Sequence, residues 1–138
     1  NFFHIENWYS VHSVIRNTLR LFFMHKRGQK NARNINVNYN NIKLPHLHMD
    51  LEGFTILHLS DLHVDMDEKA TLSLINRVRE VDYDICVMTG DYRARTFGCI
   101  ENALTAMARV RTHLKRSVYA VLGNHDSILM VPALEEMR

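Results

Sequence analysis

No run of about 18 apolar residues occurs in the sequence, so no transmembrane helix is expected. No secretory leader pattern is visible. Cysteine is scarce: Cys86 and Cys99 stand alone, without metal-ligand spacing. Cys86 falls in an apolar run and reads as an inert core thiol, which fits a reducing compartment. Repeats and low-complexity tracts are absent. Acid is scarce at the front. Residues 1–50 carry seven Lys/Arg and two Asp/Glu, a net +5, whereas residues 51–138 carry ten and thirteen, a net −3. An acidic second part with its acids near turns suits cations more than nucleic acid, and no nucleic-acid-binding signature is seen. A cytoplasmic location is expected, with a peripheral place at a membrane surface if the basic front engages lipid.

What is present fits one domain by length, 138 residues, with 46% hydrophobic and 23% charged residues. Residues 5–27 read as one helix, because Trp8, Val11, Ile15, Leu19 and Phe22 recur at three- and four-residue steps. Lys26 and Arg27 suit its last turn and Gly28 its C-cap. With Trp and Phe on one face and cations on the other, this helix fits a membrane surface. Packing on the domain's own sheet is the commoner fate of such a helix and is the preferred reading. Gln29 to Asn34 reads as a linker, giving an N-terminal basic unit over residues 1–30 and a main unit over residues 35–138. Ile35, Val37 and Tyr39 alternate with Asn, a strand signal. His46 and His48 read as solvated loop residues.

From Gly53 onward the pattern is strand, helix, strand, helix, strand, helix. The strands are expected at 54–59, 84–89 and 117–122. The helices are expected from Asp65 or Asp67 to about Glu80, from about Cys99 to Leu114, and after Ser127. Leu72, Ile75 and Val78 stripe the first; Ile100, Ala103, Leu104, Met107 and Leu114 stripe the second. His58, inside a strand, reads as a core residue. Each strand stops at a turn bearing metal-binding side chains: Asp61 and His63, then Gly90-Asp91, then Gly123-Asn124-His125-Asp126. From Asp61 to Asp91 is 30 residues and from Asp91 to Asn124 is 33, which suits crossover helices between parallel strands. Three such turns share the carboxyl edge of a sheet, where open α/β sheets bind ligands. Each turn alone is a weak signal; the ordered set points to a common metal site.

Ser60-Asp61-Leu62-His63, Gly90-Asp91 and Gly123-Asn124-His125-Asp126 together resemble the first three blocks of the calcineurin-like metallophosphoesterases. Ile56-Leu57-His58-Leu59 and Leu51-Glu52-Gly53-Phe54 resemble that family's bacterial phosphodiesterase branch. The resemblance spans roughly residues 42–131. It implies an α/β fold, a four-layered α/β sandwich of which this chain holds the first βαβαβα half. It also implies two divalent metal ions (Mn, Fe or Zn) activating a hydroxide against a phosphodiester or pyrophosphate. By position Asp61 and His63 would bind the first metal, Asp91 would bridge, and Asn124 would bind the second. His125 would be the acid that protonates the leaving oxygen, held by a neighbouring carboxylate, with Asp126 in support. The family completes its site with a later His and a Gly-His-x-His block, neither of which occurs in these 138 residues.

Arg93 and Arg95, just past Asp91, fit a bidentate hold on a substrate phosphate or, equally, solvated loop positions. The expected partner is a phosphate-ester substrate. The alternative is a non-catalytic metal-binding or scaffold domain that keeps the fold. The missing initiator Met and the missing late ligands lead to the expectation of an excerpt from a longer protein, inactive by itself.

Overall fold

The computed structural model describes residues 9–137. Three parallel strands form one sheet: β1 (Ile56–Leu59), β2 (Ile85–Met88) and β3 (Val118–Ala120), in the order β1-β2-β3. Leu57 stands opposite Cys86, which stands opposite Val118; Leu59, Met88 and Ala120 form the next row. Between the strands run α3 (Glu68–Glu80) and α4 (Glu101–Arg111). Successive right-handed crossovers in an unreversed strand order put both helices on one face. The core lies there. Leu59, Cys86 and Met88 from the sheet meet Ile75 and Val78 of α3 and Met107 and Val110 of α4. Burial pushes the Cys86 thiol up to about 11, so it behaves as a core group and not as a nucleophile.

The opposite face of the sheet is bare among the described residues. Ile56, His58, Tyr119 and Val121 are exposed on it. His58 is therefore not a core residue; its Nε2 lies 2.9 Å from Thr89 Oγ1 on the open face. Within α3 the apolar stripe is Leu74, Ile75 and Val78, while Leu72 points to solvent. Asp67 caps α3, accepting the amides of Lys69 and Ala70 at 2.9 and 3.4 Å. Ser127 opens the last helical segment by accepting the Leu129 amide. A 3-10 turn (Ile128–Met130) then leads into α5 (Val131–Glu136), with Pro132 in the first turn.

The front of the chain departs from expectation. Instead of one helix over 5–27 there are two, α1 (Tyr9–Leu21) and α2 (His25–Arg33); the expected start at residue 5, with Trp8, lies outside the described residues. The break is a Schellman turn: Met24 N bonds Leu19 O at 2.8 Å, Phe23 N bonds Arg20 O at 3.0 Å, and Phe23 is left-handed at φ 56°. Gly28 then sits inside α2 and caps nothing. The expected linker to Asn34 is helical as far as Arg33. Nor does α1 lie on the sheet as preferred, for Val14, Ile15 and Leu21 are exposed. The expected strand at Ile35–Tyr39 is irregular, since no strand among the described residues lies beside it to pair with. It is tied down by Arg77 Nε donating to Ile35 O at 3.1 Å.

Candidate metal centre

The carboxyl ends of β1, β2 and β3 open into turns that interlock. Backbone amides knit the first turn to the second: Asp61 N donates to Gly90 O (3.1 Å), His63 N to Asp91 O (3.0 Å) and Val64 N to Tyr92 O (2.9 Å). The second turn touches the third more closely still. A Cβ on Gly90, whose φ is +93°, would fall 2.1 Å from Gly123 N. A Cβ on Gly123 would fall 2.2 Å from Asp91 Oδ1. Both positions therefore exclude any side chain, and this is why the second and third ligand-bearing turns begin with glycine.

Within this knot Asp61, His63 and Asp91 bring their ligand atoms within 4.8 Å of one another, with accessibility falling from Asp61 to His63 to Asp91. All three adopt left-handed backbone conformations, φ 54°, 40° and 55°. Non-glycine residues rarely do so, and such strain gathers where a site dictates side-chain direction. Among the described residues only one other non-glycine, Phe23, shares the conformation. Ser60 donates its hydroxyl to Asp61 Oδ2. Asp91 Oδ1 accepts the His125 amide at 2.9 Å.

The histidine tautomers follow from their partners. His63 Nδ1 lies 2.8 Å from the Arg93 carbonyl, which can only accept, so Nδ1 carries the proton and Nε2 keeps its lone pair for a cation. His125 Nδ1 is likewise fixed on the Ala94 carbonyl at 3.0 Å. Its ring stands edge-on to that of His63, centroids 5.0 Å apart. His125 is thus held by a backbone carbonyl, not by the carboxylate expected for it. Asn124 is exposed in the same turn, between Gly123, which packs on Asp91, and His125, which bonds it.

Two carboxylates and an imidazole, all converging without thiolate, fit a divalent cation. Asp61, His63 and Asp91 would hold it. The arrangement places an anionic cluster at a sheet edge, which repels itself until a cation is bound.

Asp126 is the brace of the knot. Its Oδ1 accepts the amides of Tyr92 (2.8 Å) and Arg93 (3.3 Å), and its Oδ2 accepts Gly123 N (2.9 Å). Tyr92, fully buried, donates its hydroxyl to Val121 O at 2.6 Å. Burial first, and then the Asp126 charge, push that phenol up to about 12. Tyr92 stands two residues after the turn Gly90, and its residue type alone does not announce this bracing role. Arg93 is also buried. Its guanidinium donates to His125 O (2.5 Å) and Gly98 O (3.2 Å), so it ties the two loops together at the site's edge. Arg95 is exposed on the same loop. Asp65, the other residue expected as a cap for the first helix, instead accepts the Ala94 amide at 2.7 Å and steadies the loop that holds His125.

Comparison with known proteins agrees with this geometry. The family model described as calcineurin-like phosphoesterase matches residues 54–137. The chain is 29% identical over 109 residues to the uncharacterized metallophosphoesterase YkoQ of Bacillus subtilis (strain 168). That match takes in 78% of this chain and 39% of the relative. The chain thus spans about two fifths of the length of that relative. No solved structure gives a significant match.

Proposed function

We propose, from the premise that this chain belongs to the calcineurin-like phosphoesterase family, that the protein hydrolyses phosphodiester or pyrophosphate bonds with two divalent cations. The observation that carries the reading is the convergence of Asp61, His63 and Asp91 on one point, each in a strained left-handed conformation. When bound, the cations supply Lewis-acid charge that screens the phosphoryl oxygens and acidifies the attacking water.

The chain's own groups do the rest. His63, with its proton pinned on Nδ1 by the Arg93 carbonyl, presents a neutral lone pair. Asp91 keeps Oδ1 on the His125 amide, which fixes the carboxylate plane. Asp91 would be the residue that holds both cations, because one carboxylate offsets two nearby positive charges. Asn124 offers a neutral oxygen, leaving the cluster cationic enough to attract a phosphate. His125, carrying a proton on Nε2, donates it to the leaving oxygen, while its other nitrogen stays on the Ala94 carbonyl. Arg95 and, after local opening of its backbone bonds, Arg93 are the groups proposed to meet a substrate phosphate.

The test is Asp91→Asn in the full-length protein, with metal content measured alongside cleavage of bis-p-nitrophenyl phosphate. Metal affinity should fall by more than the ~10–100-fold typical of an outer partner, and turnover should vanish. Wild-type protein that retains metal but cleaves no phosphodiester or pyrophosphate would favour a non-catalytic metal-binding scaffold. Near-normal metal content and activity in the variant would remove Asp91 from the bridging role.

A further inference from the structure

Residues 9–49 contain seven Lys/Arg and no Asp or Glu. One of these cations, Arg33, is turned back onto the domain, pairing with Asp67 at 2.9 Å. Arg16, Arg20, Lys26, Arg27 and Lys30 are exposed on α1 and α2. Between the two helices the chain presents Phe22 and Phe23, 66% and 91% exposed. Helix α2 is polar on every side and buries no residue.

Phe23 is the informative residue. It occupies the left-handed position of the Schellman turn, where glycine is the usual occupant and a bulky side chain is strained. The strain is not offset by packing among the described residues, since the ring is 91% exposed. A residue that is both strained and exposed points to a contact made outside the fold. That contact must be apolar where the rings enter and anionic around them.

We propose that residues 14–30 dock on an anionic lipid surface. Phe22, Phe23 and Leu21 enter the boundary between headgroups and acyl chains, and the five cations lie among acidic headgroups. Duplex nucleic acid, its bases already stacked on one another, would satisfy the cations and leave the rings in water. A second copy of the chain would bring the same carboxylate-free basic stretch against itself and be repelled. No helix among the described residues is long and apolar enough to cross a membrane, so the contact is peripheral.

The experiment is sedimentation of the full-length protein with phosphatidylcholine vesicles, with and without phosphatidylglycerol. Binding should require phosphatidylglycerol and weaken as salt is raised. Phe23→Gly should keep or raise the melting temperature, because glycine takes the left-handed turn without strain, yet reduce partition on the order of ten-fold. Lys26→Gln with Arg27→Gln should reduce partition about five-fold per charge. Metal content, measured in the same samples, should not change, which keeps this test separate from that of the proposed activity. Absence of binding to phosphatidylglycerol vesicles, or binding that Phe23→Gly leaves intact, overturns the proposal. Duplex-DNA binding tighter than vesicle binding and indifferent to Phe23→Gly would reassign the patch to nucleic acid. A dimer dissolved by Phe23→Gly would reassign it to self-association.

Discussion

His125 has one nitrogen spent on a backbone carbonyl and the other free beside the metal cluster. A proton donor to the leaving oxygen matters most when that oxygen is basic. His125→Ala should therefore slow alkyl phosphodiesters by ~10²–10⁴-fold and nitrophenyl esters much less, with metal retained. Equal losses on both substrates, together with lost metal, would make His125 a ligand. Asp126 works differently, through three amide bonds that hold two turns together. Asp126→Ala should lower unfolding stability by at least ~2 kcal/mol, since bonds to a charged group are the stronger kind. Chemical denaturation checks this; an unchanged midpoint would show that the turns are held by their backbone bonds alone. Three convergent donors were legible in the sequence because metal chemistry restricts residue types: Asp61, His63 and Asp91 come within 4.8 Å of one another. The roles of Tyr92, Arg93 and Asp65 were not legible in this way. Each acts through backbone carbonyls or amides, which leave no signature in residue type.

At the scale of elements, α3 shows how one side chain can join two parts of the fold. Asp67 caps the helix and also receives Arg33 from α2. Partial burial opposes its charge, but the Arg33 bond and the Lys69 and Ala70 amides outweigh this and hold its carboxyl below the usual range. A carboxylate with a depressed folded pKa contributes stability above its unfolded pKa, and that contribution is lost as pH falls through the folded one. Asp67→Ala should cost about 1 kcal/mol near neutral pH, with the gap from wild type narrowing below pH ~4. Thermal melts of both proteins across that range check the sign; a gap independent of pH would assign the effect to lost packing. The βαβαβ core was legible because its periodicities and its turn glycines agree. The front was not. A helix-period stripe from residue 5 to residue 27 conceals the break at Phe23, since nothing in periodicity reports a left-handed phenylalanine. Ile35, Val37 and Tyr39 alternate like a strand, but a strand also needs a neighbour, and alternation says nothing about one.

For the whole molecule, the unreversed order of β1, β2 and β3 has one consequence that reaches beyond the metal centre. Both crossover helices lie on one face, and Ile56, Tyr119 and Val121, each more than half exposed, are left on the other. Parallel sheets are stable when both faces are covered. At ~25 cal/mol per Å², a few hundred Å² of uncovered apolar surface forfeits several kcal/mol. That rivals the ~5–15 kcal/mol total stability of a domain. Residues 1–138 expressed alone should accordingly bind the dye ANS and melt over a broad range. The three converging donors sit at the carboxyl edge of this same sheet, so a loosely packed sheet also loosens the strained turns at Asp61, His63 and Asp91. Mn²⁺-dependent cleavage of bis-p-nitrophenyl phosphate by residues 1–138 should then be far slower than by any form extended by a segment that covers the face. The decisive comparison measures dye binding, melting width and cleavage on both forms. A sharp melt without dye binding, joined to equal turnover, would mean that the bare face is tolerated and that the three converging donors suffice for the chemistry.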